Sequence, residues 1–461
     1  MLENMIQIWR KLQNYLFEQE SHVQRKWDAL VVAFYAFLAL FLPYSTFDWD
    51  SYVRWANQIR VLGLENIYHY QYVNYMPFNV FAIHLWQLLC ASMNWDLVGY
   101  FQMIKIYPMI FDALTVLLLF RFAKRYQASL LTVAVLFLPN IAIQYNSFIW
   151  GQFDSVYAFF ALLAGYFILK KQPTAALVAF VFAMNAKIQA IIFLPTLISF
   201  IWLFIFQPRK AAVKEGLRTA LFGFLEVLVK AAGIGVVLQF ALLLPFRGTL
   251  PLKVLTLIVE RSASLSTWVT FNADNFWTLI GVPSMKVSDV AIWQMGMSYH
   301  SWGLGLFVVA SCLTFLPLLG LFLSGFQWFQ SLFSRSHIPL VRPAQLGEKQ
   351  VAQMFALVCY LQSLSFFFFL TQMHERYSHP TLVFAGLFAI ISRKKTLFLI
   401  TCLAYLINLE QVDLYWKHLI DLSKISWIGQ LSAALFLIGL VLALASLYRL
   451  YLAQADRKRA A

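Results

Sequence analysis

WDALVVAFYAFLALFLPYSTFDWD, residues 27–50, carries an apolar run from Trp27 to Tyr44 directly into two carboxylates, Asp48 and Asp50. A run of that length is enough to cross the hydrocarbon core of a bilayer. The carboxylates then stand where lipid headgroups meet water, an unfavourable place for an anion beside acidic lipid unless something must be deprotonated there. Beyond them Tyr52, Trp55, Ala56, Ile59 and Leu62 recur at helical spacing, with Arg54, Asn57, Gln58 and Arg60 on the other side. That pattern predicts an amphipathic helix lying on the bilayer.

The rest of the chain repeats the apolar theme. Of 461 residues 61% are hydrophobic and only 12% charged, which excludes a single water-soluble globule. Thirteen apolar stretches, from 27–44 to 428–452, predict an all-α polytopic transmembrane bundle, with about 11–13 spans. Met5, Trp9, Leu12 and Leu16 share a face and predict a cytoplasmic interfacial helix over residues 1–26, ahead of a single transmembrane domain over 27–461. No signal peptide is expected. Cys90, Cys312, Cys359 and Cys402 all fall in apolar stretches without metal-ligand spacing, so they read as small core residues and no disulfide is expected.

The net charge of +14 arises from 35 Lys and Arg against 21 Asp and Glu, and the excess gathers in alternate loops. Lys170 and Lys171, Arg209 to Arg218, Arg335 to Lys349, Arg393 to Lys395 and Arg457 to Arg459 all face the cytoplasm by the positive-inside rule. The basic balance is therefore topological, and nucleic-acid binding is not indicated. Arg25 and Lys26 place the FDWD loop, residues 45–77, outside. Arg121, Lys124 and Arg125 also ask to be inside, which two full crossings between 78 and 120 cannot satisfy. Either one of those stretches is re-entrant or the short stretches near 173–206 absorb the mismatch.

The predicted outward loops carry Asn74, Tyr75 and Pro77, then NSFIWGQFDS at 146–155, a long stretch over 246–302, and MHERYSHP at 373–380. Their His, Asn, Gln, Trp and Tyr are residue types that hydrogen-bond to and stack on sugars or lipid headgroups. Charges inside apolar stretches are costly and are functional candidates. Lys105 and Asp112, two turns apart, read as an internal ion pair or a functional pair, and Lys187 as a snorkelling or a functional lysine. His374, Glu375 and Arg376 read as a solvated turn or as a cationic patch whose arginine fork suits phosphate.

Taken in order, these pieces resemble the integral-membrane glycosyltransferases of the GT-C fold that use polyprenyl-phosphate sugars. The likeness is greatest to the prokaryotic relatives of the second mannosyltransferase of GPI-anchor synthesis. The pieces are Asp48 seven residues before Trp55-Ala56, then Gly63, Asn66 and Tyr68, Tyr75 and Pro77, NSFIWGQFDS, Lys187 and Gln189, FNADNFW at 271–277, and HERY at 374–377. Where the family carries Asp-Tyr-Pro-Pro this chain has Asn74-Tyr75-Met76-Pro77, so Asp50 is the candidate for the missing acid. Lys187-Ile188-Gln189 likewise replaces Lys-Pro-Gln.

The resemblance implies an inverting transferase of the plasma membrane, its site on the extracytoplasmic side. A hexose, mannose favoured, would pass from a polyprenyl-phosphate donor to a glycan or glycolipid acceptor. Asp48, with Asp50, would be the catalytic carboxylates, and Arg376, His374 and Lys187 would hold the donor phosphate. Trp150, Gln152 and Asp154 would grip the sugar or order the site, and Tyr75, Asn272 and Gln189 would join them in binding sugar or acceptor. A fixed cation can stand in for a metal at a monophosphate leaving group, so no cofactor is favoured, the alternative being a divalent metal at Asp48 and Asp50. The rival classes are a flippase or transporter for a lipid-linked sugar, against which the absence of an internal repeat counts, and a non-catalytic assembly subunit.

Overall fold

A computed structural model describes residues 22–43, 49–206, 214–263, 267–324, 346–416 and 426–460. Asp48, residues 1–21 of the expected N-terminal interfacial helix, and the basic residues Arg209, Lys210, Arg335 and Arg342 lie outside this set. The described chain is an all-α bundle with four strands of two or three residues at one end.

Its helices in chain order are α1 (His22–Ala39), α2 (Trp49–Leu62), α3 (Pro77–Ser92), α4 (Ile106–Arg125), α5 (Leu130–Phe137), α6 (Asp154–Leu169), α7 (Pro173–Ala186) and α8 (Leu194–Ile201). There follow α9 (Lys214–Leu243), α10 (Pro251–Ala263), α11 (Tyr299–Leu323), α12 (Glu348–Phe369), α13 (His379–Ser392), α14 (Thr396–Trp416) and α15 (Ser426–Ala460). Local chemistry sets several boundaries. Proline opens α3, α7 and α13, where its missing N–H costs nothing. Pro139 ends α5, and Asn140 recaps the next segment by accepting from Ala142 N at 3.1 Å, so the pair Leu130–Phe137 and Ile141–Ile149 bends by 59°.

Among the described residues seven helices are long and apolar enough to cross a membrane, or eight if that bent pair is one span. This is fewer than the thirteen stretches the sequence offers. α6 and α7 are 16 and 14 residues long, short of a full crossing. Hydropathy also counts helices that are apolar because protein surrounds them: 94% of the α12 window is buried, against 17% for the Arg218–Phe246 span and 22% for α11. α12 is thus the central post, packed on α13 and α15, while α9 and α11 turn bare apolar faces outward. Cys90, Cys359 and Cys402 are buried as expected, but Cys312 on α11 is exposed.

Among the described residues neither α1 nor α3 is long and apolar enough to count as a span, whereas Phe101–Arg125 is. The basic ends of α1 and α4 meet, and Arg121 Nη2 lies 3.0 Å from Asp28 Oδ2.

α2 forms where its periodicity predicts, and Tyr52, Trp55, Ala56 and Ile59 are all buried. They are buried by protein, however, not by lipid: the Tyr52 ring stacks on Phe153 at 4.8 Å and Trp55 meets Tyr75 edge-on at 5.0 Å. The 246–302 stretch is also folded. β2 (Ile292–Gln294) and β3 (Met297–Ser298) form a hairpin over Trp277, and β1 (Thr270–Phe271) pairs in parallel with β4 (Met373–His374). That last pairing sets FNADNFW directly beside HERY, about a hundred residues further on.

Candidate functional site

The NSFIWGQFDS segment is a built turn. A π-helical Tyr145–Ile149 gives way to Gly151 at φ +73°, a left-handed conformation that suits glycine, and a Cβ there would meet Lys105 Cγ at 2.9 Å. The turn delivers Asp154 to the first turn of α6, where the helix dipole favours a carboxylate. Lys187 sits at the break after α7 in extended conformation, φ −154°, and HERY follows β4. These three elements converge on one another.

The Lys187 ammonium pairs with Asp154 Oδ1, and Arg376 Nε stands 3.9 Å from Asp154 Oδ2. Arg376 Nη1 also donates to Glu375 Oε1 at 2.8 Å, and Lys187 Nζ lies 4.1 Å from the centre of the Tyr377 ring, a cation–π contact. The exposures order the charges: Asp154 and Glu375 are 1% and 6% exposed, Lys187 and Arg376 16% and 12%. Carboxylates lie behind and cations in front. Each buried cation therefore has a counter-ion, without which its desolvation would be prohibitive.

In front of the cations is a cavity of about 260 Å³. Of the eleven residues singled out from sequence, Tyr75, Asp154, Lys187, Gln189, His374 and Arg376 line it together. The stacked pair Tyr52 and Phe153, with Trp55, makes an aromatic wall opposite. Lys187 is thus paired inside the protein, and Asp154, expected to grip the sugar or order the site, is the counter-ion of the cation pair.

Other expectations need correction. His374 was expected among the phosphate-binding cations, but burial, reinforced by Arg376 and Lys187, holds its pKa well below the ordinary value. At neutral pH it is an uncharged ring, packed on Phe271 at 4.4 Å, that can offer a hydrogen bond but no charge. Asp50 does not line the cavity; its side chain is 65% exposed and lies 3.8 Å from Arg54, a surface pair that contributes little. Trp150 and Gln152 are buried inside the turn that presents Phe153 and Asp154. Asn272 is buried at φ +59°, bonded to Ser284 and through its carbonyl to Asn408, where it shapes the β1 loop. Lys105 and Asp112 do not pair: Lys105 Nζ donates to the carbonyls of Pro43, at 2.7 Å, and Ile149, and Asp112 bonds Ser147.

Several contributors went unread in the sequence. Arg261 on α10 donates to the carbonyls of Tyr68, Tyr70 and Val73 and so clamps the second loop onto the first. Its neighbour Ser262 thereby reaches the cavity, as does Ile258 one turn earlier. Asn79 bridges Tyr107 and the carbonyl of Ala186, next to Lys187. The mixed charge of VERSA, residues 259–263, was the one local sign of such a clamp.

No protein-family model matches this chain, and none of the curated proteins matches it either.

Proposed function

We propose that this polytopic membrane protein is an inverting glycosyltransferase that moves a hexose, mannose favoured, from a polyprenyl-phosphate donor to a lipid-linked or extracytoplasmic glycan. The observation that carries the reading is the buried Lys187–Asp154–Arg376 arrangement facing an aromatic-walled cavity. Preorganised cations in a water-poor site suit a phosphate leaving group, and stacked rings suit a sugar face. At about 260 Å³ the cavity is near the lower end of small-molecule pockets, room for a headgroup and not for a polyprenyl chain. The chain would remain in lipid.

In this reading the acceptor oxygen attacks the anomeric carbon as the bond from that carbon to the phosphate oxygen breaks. The phosphate leaves with the electron pair, held by Arg376 and Lys187, and the acceptor proton passes to a carboxylate. Asp48 is the residue for that role. It stands three residues before Ser51, which lines the cavity.

The test is incubation of the purified protein with a panel of polyprenyl-phosphate sugars and candidate acceptors, scoring free polyprenyl phosphate. Release is expected with one donor; vesicle flipping without release would support transport instead. Asp48→Asn should lower turnover by about 10² or more, the scale for loss of a general base. Unchanged turnover removes Asp48 from that role.

A further inference from the structure

A second cavity, of about 210 Å³, adjoins the first and shares Gln189, Ser262, His374 and Tyr377 with it. Its other wall holds His300, Thr371 and Gln372, and among the described residues no Lys or Arg lines it. It is therefore poorly suited to phosphate.

Behind that wall is Asp289, with its side chain only 2% exposed. Its Oδ2 accepts from Thr371 Oγ1 at 3.1 Å and from Gln372 Nε2 at 2.8 Å, and lies 3.4 Å from His300 Nδ1. Its Oδ1 is buried with no hydrogen-bond partner among the described residues. The backbone fixes this carboxylate as well, since Asp289 N donates to Thr267 O at 2.7 Å and His300 N to Asp289 O at 2.9 Å. The Thr371 hydroxyl gives its proton to Asp289, so its oxygen accepts from His300 Nδ1–H, 3.2 Å away, and Nε2 is left facing outward from this network. The same logic holds Gln372 with its amide NH₂ toward Asp289 and its carbonyl oxygen left to accept. The wall thus presents the His300 ring and the Gln372 amide as its polar partners, with no Lys or Arg among the described lining residues.

We infer that this second cavity is the acceptor subsite, taking a neutral, polyhydroxylated headgroup whose hydroxyls donate to His300 and Gln372, with Asp289 as the positioning residue. The assignment of the bound group as the acceptor rests on the glycosyltransferase reading; the preference for a neutral polyol does not. The shared wall of Gln189, His374 and Tyr377 then separates a cation-lined donor lobe from an acceptor lobe that no described Lys or Arg lines.

The probe is n-octyl α-mannoside, a hexose head on an apolar chain, with the protein in nanodiscs and binding read by saturation-transfer NMR. Binding is expected to weaken roughly ten-fold in His300→Ala, the scale for losing a neutral hydrogen-bonding group. It should persist in Arg376→Lys and in the presence of excess polyprenyl phosphate. His300 is largely exposed, so its removal should leave the protein folded, with a single cooperative melting transition. Methyl α-mannoside, the same head without a chain, separates the sources: equal binding points to a soluble glycan, weaker binding to a lipid-linked one. Displacement by polyprenyl phosphate, or binding indifferent to His300→Ala, overturns the subsite. If the octyl mannoside binds at His300 but no donor is ever cleaved, glycosyl transfer fails while the polyol site stands.

Discussion

Asp154 is the residue on which the cation pair depends. It is the carboxylate both Lys187 and Arg376 face, and it is almost wholly buried. Asp154→Asn would remove the carboxylate that faces both buried cations, and breaking a buried pair in this way costs about 3–5 kcal/mol. A clear fall in the melting temperature is expected, together with loss of donor turnover. Adding Lys187→Met should restore part of the stability, because the uncompensated charge is gone, without restoring turnover. If Asp154→Asn melts like the unaltered protein, the charge ordering described above is wrong. The sequence offered Asp154 as a sugar-gripping or site-ordering residue but not its pairing, since a residue's counter-ions, from Lys187 and HERY, cannot be read from its own segment.

At the scale of elements, the loop between β1 and the short helix Phe276–Leu279 docks the second folded segment onto the bundle through Asp274. This carboxylate bonds Gln411 and sits beside Asn408 on α14. Burial, which outweighs hydrogen bonds from Ser432 and Gln411, pushes its pKa from 3.8 up to about 8. A raised folded-state pKa means that the native protein binds the proton more tightly than the unfolded chain. The stabilisation is therefore full below about pH 4 and is lost as pH rises through about 8. The melting temperature should fall between pH 5 and pH 8, and Asp274→Asn, which mimics the neutral acid, should flatten that slope. An unchanged slope in the variant would assign the pH dependence to another group. Elements were unevenly legible. Periodicity found α2 and its buried face, yet it could not say that Phe153 and Tyr75 bury that face, because a repeat reports burial and not the burying partner. Order and spacing brought out Tyr75, Lys187, Gln189 and HERY, whereas Asp289, His300 and Thr371 belong to no local pattern and meet only through the fold.

For the whole molecule, the helices between two ends sort its charges. α4 runs from Ile106 to Arg125, and α6 from Asp154 to Leu169. Arg125 reaches the carbonyl of Leu169 and the carboxylate of Glu348, and Arg393 reaches the carbonyl of Gln127. The loops carrying Lys170 and Lys171, Lys349, and Arg393 to Lys395 thus gather with Arg125 at one end, and the two cavities lie at the other. Composition alone implied a membrane bundle, and the alternation of basic loops implied this two-ended order; the number of crossings stayed hidden because core helices are as apolar as lipid-facing ones. The positive-inside rule then makes the cavity end extracytoplasmic in our reading. In a background with Cys90, Cys312, Cys359 and Cys402 replaced, Ser262→Cys at the cavity should react with a membrane-impermeant maleimide in intact cells. Lys394→Cys should react only after permeabilisation. The reverse pattern would put the cavities on the cytoplasmic side and defeat a donor presented from outside, and with it the assignment of an extracytoplasmic glycan as acceptor.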